Sequence, residues 1–337
     1  MKNRILSAII LLSGVLHSLS GFATQTFVQA TNGGNSSGAS SSVSNAATTT
    51  TGNLLFVFFG EQRNCNNGMT GSNALGNTPT DTAGDTFTPI IPAHTTAYAA
   101  GINLDSAGSG YAGVISCTIS GGGATTNATC AATESGGAIA TLDLQTAGAG
   151  YTSPATVTIT GSQGGSGATA HITAYGIGNS STECTMAWYA KNITGATNNQ
   201  VTITHDNAVQ YHWVTVEEWS GLSTIAPYDT EADAVTSGTS ITSSAFSTAQ
   251  AHETAICGTR VEALTQTWAP GTGYTNPANA DPGGTNDFIT SEYQPFTTAQ
   301  SGATASISSG SSADREIICG LFKEAAAATT NSLPVIY

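Results

Sequence analysis

The residues best suited to chemistry lie on one predicted strand and in the segment that follows it. Along 211–219 (YHWVTVEEW) side chains alternate between faces, so Tyr211, Trp213, Thr215, Glu217 and Trp219 share one side. Aromatic rings beside a hydroxyl and a carboxylate suit sugar recognition, because rings stack on the apolar faces of pyranoses while polar groups take the hydroxyls. The same face also reads as core, since Trp and Tyr are highly buried on average. Ten residues further on, Asp229, Glu231 and Asp233 (DTEAD) sit at alternate positions. Extended, they share a side, and a bend would turn them onto one calcium ion, which takes carboxylate and carbonyl oxygens. The segment lacks the glycine and the terminal bidentate glutamate of an EF-hand loop, and a solvated acidic loop is the other reading.

No catalytic residue is assigned. Glu217 and Glu218 are adjacent, so a strand points them apart, and a glycosidase would need carboxylates from distant segments about 5–10 Å apart. The GxSxG match at Gly34–Gly38 (GNSSG) lies in a low-complexity stretch, without the strand and helix that a nucleophile elbow requires. His94, His171, His205, His212 and His252 are scattered and form no HExxH. The glycine runs at 121–123 and 164–167 carry no lysine and lead into no helix, which argues against a phosphate cradle. Asp81 and Asp85 (DTAGD) read as turn residues that hydrogen-bond the local backbone.

These side chains need strands to position them, and the composition supplies strands. Asp, Glu, Lys and Arg make up 8% of the chain, against roughly 25% in an ordinary domain. Hydrophobic residues reach 39% and cluster in short runs between Gly, Ser and Thr. Leu54–Gly60 (LLFVFFG) is a continuous apolar run, expected of a strand covered on both faces. Further strands are expected at 86–90, 184–190, 200–205, 211–219, 254–261, 288–293, 303–308 and 315–323, with no amphipathic helical stretch. The fold class that follows is all-β, a sandwich or barrel.

Residues 1–23 carry the signature of an export leader: Lys2 and Arg4, a short apolar run from Ile5 to Leu12, then Gly21 and Ala23 before a cut at Thr24. The run is too short to span a bilayer, so a secreted, extracellular or cell-surface location is expected, without membrane insertion. Formal net charge is −14 with the leader included, which disfavours nucleic acid as a partner. All six cysteines follow the leader, and an even count in an exported chain points to disulfides. Cys117 and Cys130 fall on the two strands of one hairpin. Cys257 (TAICG) and Cys319 (EIICG) hold the same place in two similar runs, and Cys65 and Cys184 remain as the third pair.

The middle of the chain repeats itself. AGSGY at 107–111 and AGAGY at 147–151 each precede an alternating run, glycines and an Ala/Thr-rich ending, and Tyr111 and Tyr151 are 40 positions apart. The expected organisation is a discontinuous sandwich (24–90 and 176–324), an inserted glycine-rich two-repeat β module (91–175) and a flexible tail (325–337). GNLLFVFFG, DTAGDTF, AWYAKNITGATNNQVTIT, VEEWSGL and EIICGLFK, in that order, resemble a recurring type of secreted bacterial jelly-roll or lectin-like β-sandwich. AGAGYTSPATVTITGSQGGSGATA is similar to the glycine-rich modules of phage tail fibres and bacterial surface proteins. The first half-repeat departs from that pattern, with AGVIS and an added cysteine pair.

The first resemblance implies a jelly-roll-type sandwich; both imply display, adhesion or binding, and neither implies a catalytic residue. The expected function is non-catalytic recognition of an extracellular glycan or surface polymer through the 211–219 face. No cofactor is expected, with calcium the one candidate ion, at 229–233. A self-associating structural subunit of a surface layer, matrix or filament is one alternative, and a polysaccharide-active enzyme is another.

Overall fold

The computed structural model describes residues 24–35, 39–61, 65, 78–178, 183–209, 212–262, 267–277 and 288–326. The leader expected at 1–23, Tyr211 and the tail from 327 onward lie outside the described residues. Those described form nineteen strands and no helix. Five precede the repeats: β1 (Thr26–Asn35), β2 (Ala39–Val43), β3 (Leu54–Glu61), β4 (Thr80–Asp81) and β5 (Phe87–Ile90). The repeats hold β6 (Tyr98–Ser109), β7 (Ile115–Gly121), β8 (Thr129–Ser135), β9 (Ala138–Thr146), β10 (Ala155–Gly161) and β11 (Ser166–Ile177). After them come β12 (Cys184–Ala190), β13 (Val201–Val209), β14 (His212–Ser220) and β15 (Tyr228–Thr242). The last are β16 (Glu253–Val261), β17 (Trp268–Pro270), β18 (Phe288–Phe296) and β19 (Ser306–Lys323).

The fold is an all-β sandwich of antiparallel sheets. The large sheet runs β1–β14–β3–β12–β11–β6, with β5 also on β12, and a second sheet runs β15–β19–β16–β18, with β17 on β19. A small sheet, β2–β13–β4, lies over the other face of the large one. This layering explains the unbroken apolar run of β3, all eight of whose residues are buried. On one face Phe56 meets Phe322 edge to face, at 6.3 Å between centroids. Phe58 presses on Gly258 of β16, where a Cβ would come within 2.1 Å of the ring. On the other face Leu55, with Val216 of β14, adjoins Ser44 and Val201 next to the small sheet.

The two repeats build a pseudo-twofold unit. β6–β7–β8 and β9–β10–β11 begin at Tyr98 and Ala138, 40 positions apart. Across them β6 pairs with β11, β7 with β10 and β8 with β9. The pairing of Thr118 with Thr158, again 40 apart, lies on the pseudo-axis. Each buried tyrosine closes the opposite repeat: Tyr151 Oη accepts the Ala128 amide at 2.8 Å, and Tyr111 Oη accepts the equivalent Ala168 amide at 3.3 Å. Gly108 and Gly148 make this crossing possible. Both adopt positive φ (62° and 64°), and a Cβ on either would lie 2.4 Å from Ala168 N or Ala128 N. β11 then runs on to pair with β12, so the unit joins the large sheet through its strands.

Disulfides join Cys65 to Cys184, Cys117 to Cys130 and Cys257 to Cys319, and no cysteine is free. Bridges of this kind belong to oxidising compartments. Closing loops of such lengths stabilises by about 3–5 kcal/mol each in the chain-entropy model.

Candidate functional site

The face of β14 is covered. Trp213, Thr215, Glu217 and Trp219 are 5%, 2%, 1% and 0% exposed, which corrects the reading of them as a glycan platform. Trp219 sits edge-on to Tyr293 of β18 at 4.7 Å and to Phe27 at 5.4 Å. Its Nε1 donates to Glu217 Oε2 at 3.1 Å. Burial pushes Glu217 up to about 7, against the lowering effect of hydrogen bonds from Ser291 and Trp219. The second sheet therefore seals this side. The other side is also enclosed: Glu218 accepts from Gln29 Nε2 (2.6 Å), the Thr50 amide (2.8 Å) and Asn53 Nδ2 (2.6 Å). Tyr211, the fifth member of the expected platform, is outside the described residues.

The 229–233 segment does not close on one ion. It forms the start of β15, where Tyr228 pairs with Phe322 and Glu231 with Gly320, so one extra residue bulges between them. A bulge re-aims side chains that simple alternation would align. Asp229 turns to Lys323 Nζ at 3.0 Å and to the Ala249 amide at 2.8 Å. Glu231 and Asp233 face each other instead. Glu231 Oε1 accepts from the Ala93 amide at 3.1 Å, and burial, then the Asp233 charge, push its carboxyl up to about 8. Burial also raises Asp233, opposed by His94. These three carboxylates are thus not brought together as calcium ligands.

Among the described residues one other set, Glu183, Glu262 and Asp314, brings one ligand atom each within 4.8 Å of one another. Its buried member already has a cation: Arg260 Nη1 lies 2.6 Å from Glu183 and 3.2 Å from Glu316. The Arg260 stem packs over Gly60, where a Cβ would come within 2.8 Å of it. That cluster reads as an inter-sheet ion pair whose members compensate one another. Asp81 and Asp85 are turn residues: Asp81 Oδ1 accepts the Asp85 amide at 2.8 Å.

An open site does exist, at a place the alternation pattern did not indicate. A cleft of about 440 Å³ separates the start of β15 from the second repeat, within the range usual for ligand sites. Tyr189 of β12 and Tyr228 of β15 stack at 5.4 Å and 10° along one wall. Both rest edge-on against buried Phe322, at 5.5 and 6.0 Å. Thr152, Ser153 and Pro154 supply the facing wall, and Asp229 and Glu231 the acidic end. Burial raises both phenols, so they stay protonated and available as hydrogen-bond donors. Sequence signals for this cleft were weak. Tyr189 sits in an apolar strand whose other residues are all buried, and nothing in the CTMAWYA pattern sets it apart from them.

No known protein family matches the chain, and no curated protein is similar to it. Among solved structures, the major capsid protein of Faustovirus aligns with 96% of this chain and 93% of its own. Identity is 8% and the TM-score 0.16. A likeness that small carries no argument.

Proposed function

We propose that the protein is a secreted, non-catalytic binding protein of the extracellular or cell-surface space, and that carbohydrate binds in the cleft beside Tyr189 and Tyr228. The observation that supports it most is the half-exposed tyrosine stack beside a carboxyl that holds its proton near neutrality. A neutral carboxyl both donates and accepts hydrogen bonds, as a sugar hydroxyl does. Ser153 and Thr152 add hydroxyls opposite, and the rings offer an apolar face to a pyranose. The disulfides and the even cysteine count support export.

The test is a glycan array of the mature protein, with calcium and with chelator, repeated with Tyr189→Ala. Specific binding that Tyr189→Ala weakens about tenfold or more (roughly 1.4 kcal/mol) supports the cleft. Binding unchanged in that variant places the ligand elsewhere. A blank array overturns carbohydrate recognition, and ordered polymers of the purified protein in electron micrographs would then assign a structural subunit. Release of reducing ends from a bound polysaccharide would instead assign a hydrolase, with Glu231 as the proton donor.

A further inference from the structure

Lys323 ends β19 between two carboxyls. On one side is Asp229 of β15, with Nζ 3.0 Å from Oδ1. On the other side is Glu253 of β16, its cross-strand partner, whose carboxyl contacts that of Asp229 rather than pairing with Nζ. The three sit on adjacent strands of the second sheet, beside the rings of Tyr228 and Phe322. Exposure is low: the Lys323 side chain is 26% exposed, Asp229 10%, and Glu253 0%. An ordinary ion pair explains Lys323 and Asp229. It does not explain a second, fully buried carboxyl directed at the first.

We propose that Lys323 and Asp229 become joined by an intramolecular amide bond, with Glu253 as the proton carrier. Lys323 first passes a proton to the Asp229 carboxylate, leaving a neutral amine and a carboxylic acid. The Nζ lone pair attacks Asp229 Cγ, forming the C–N bond and a tetrahedral centre. With the nitrogen now bonded to Cγ, Glu253, in contact with the Asp229 carboxyl, takes a proton from it and returns one to the departing hydroxyl, and the C–O bond breaks to release water. In sum, an ammonium and a carboxylate become one amide and one water, with no oxidant or reductant.

Each accessory group is present. The Ala249 amide donates to Asp229 Oδ2 at 2.8 Å, where it would steady the oxyanion of the tetrahedral centre. The Gln250 amide donates to Glu253 Oε1 at 3.1 Å and orients that carboxyl. The Tyr228 carbonyl accepts from Nζ at 3.3 Å and holds the amine in line. Burial, then the neighbouring Asp229 charge, push Glu253 up to about 7, so both of its protonation states are populated near neutrality. The bond would remove two charges from a poorly solvated site. It would also lock β19 to β15, as Cys257–Cys319 already locks β16 to β19. The inference shares Asp229 with the cleft but does not rest on carbohydrate binding, because the amide is read from peptide masses alone.

Peptide mass spectrometry of the folded wild-type protein tests it directly. Trypsin cuts after Lys191, Arg260 and Arg315, so Asp229 falls in peptide 192–260 and Lys323 begins a cleavage inside 316–337. The disulfide between Cys257 and Cys319 links the same two peptides, so the digest is run after full reduction and alkylation. The expected result is a branched species uniting 192–260 with uncut 316–337, and a reduced chain lighter than its sequence by one water. Separate linear peptides, with cleavage after Lys323 and no lost water, overturn the proposal and leave an ion pair only. E253Q and K323R should both give the full linear mass. A branched peptide that persists in E253Q overturns the role of Glu253. Because the decisive measurement is on the wild type, a variant that fails to fold does not blunt it.

Discussion

The β14 face and the Tyr189–Tyr228 cleft use the same parts, aromatic rings set beside carboxyls of raised proton affinity. On β14 the rings lie beneath a second sheet, and Glu217 accepts from the indole of Trp219 beside it. In the cleft the rings are half-exposed, the wall opposite belongs to the second repeat, and Glu231 is held by a single backbone amide. Residue type states what a group is able to do. Which layer covers it decides whether anything outside the protein can reach it.

The largest effect that tests this contrast is on the sealed side. Trp219→Ala should cost about 3–5 kcal/mol, read as a lower midpoint in denaturant, because it empties the volume between β14 and β18 and strips Glu217 of a donor. A loss under about 1 kcal/mol would mean that the face is not core. Gly258→Ala comes next. Its methyl group would meet the Phe58 ring, and overpacking of that kind costs about 1–3 kcal/mol, measurable in the same titration. An unchanged midpoint would show that β3 and β16 are not in close contact.

A pH series separates the two regions without large substitutions. Folding raises Glu217 and Glu292 from the ordinary value near 4.5 to about 7. Between those values the folded chain holds protons that the unfolded chain has lost, so the contribution of these two groups is full below about pH 4.5, falls as pH rises towards 7 and levels off above it. Glu231 carries a further fall towards pH 8. The slope for Glu217 alone is of order 1 kcal/mol per pH unit, and Glu217→Gln should flatten it. A melting temperature that rises over this range would contradict the burial of these carboxyls. In the cleft the same physics acts on binding: glycan affinity should weaken above about pH 8, where Glu231 loses its proton.

The smallest expected change in stability is for Tyr189→Ala. Loss of one stacked ring pair at a half-exposed position costs about 1 kcal/mol, seen in a thermal melt, while glycan binding should fall far more. If stability drops instead by the amount expected for Trp219→Ala, the two regions are alike and the contrast fails.

Much of the architecture is legible in local pattern. The unbroken LLFVFFG run predicts a strand covered on both sides, because alternation disappears only when neither face meets water. Two of the cysteine pairs, Cys117–Cys130 and Cys257–Cys319, follow from which strands are neighbours, and Cys65, in a turn after β3, is left for Cys184. The repeat is visible as the recurrence of AG-x-GY, although its true unit starts earlier, at Tyr98 and Ala138, where glycine no longer marks it. Two expectations went astray for one reason. For Trp213 to Trp219 and for Asp229 to Asp233, period-two alternation told which side chains share a face. It carried no information about the sheet laid over the first face or the bulge that re-aims the second.

Composition and pattern alone therefore determined the class of this protein: an all-β chain poor in charge, stapled by disulfides, with an internal repeat of 40 residues. Those properties depend on neighbours within a few positions, which the chain order contains. The sites were decided by tertiary structure. The cleft joins Tyr189, Tyr228 and Ser153, and the Lys323 cluster joins β15, β16 and β19. Contacts across such separations arise from how layers stack to bury apolar area, a property of the whole chain that no local spacing encodes.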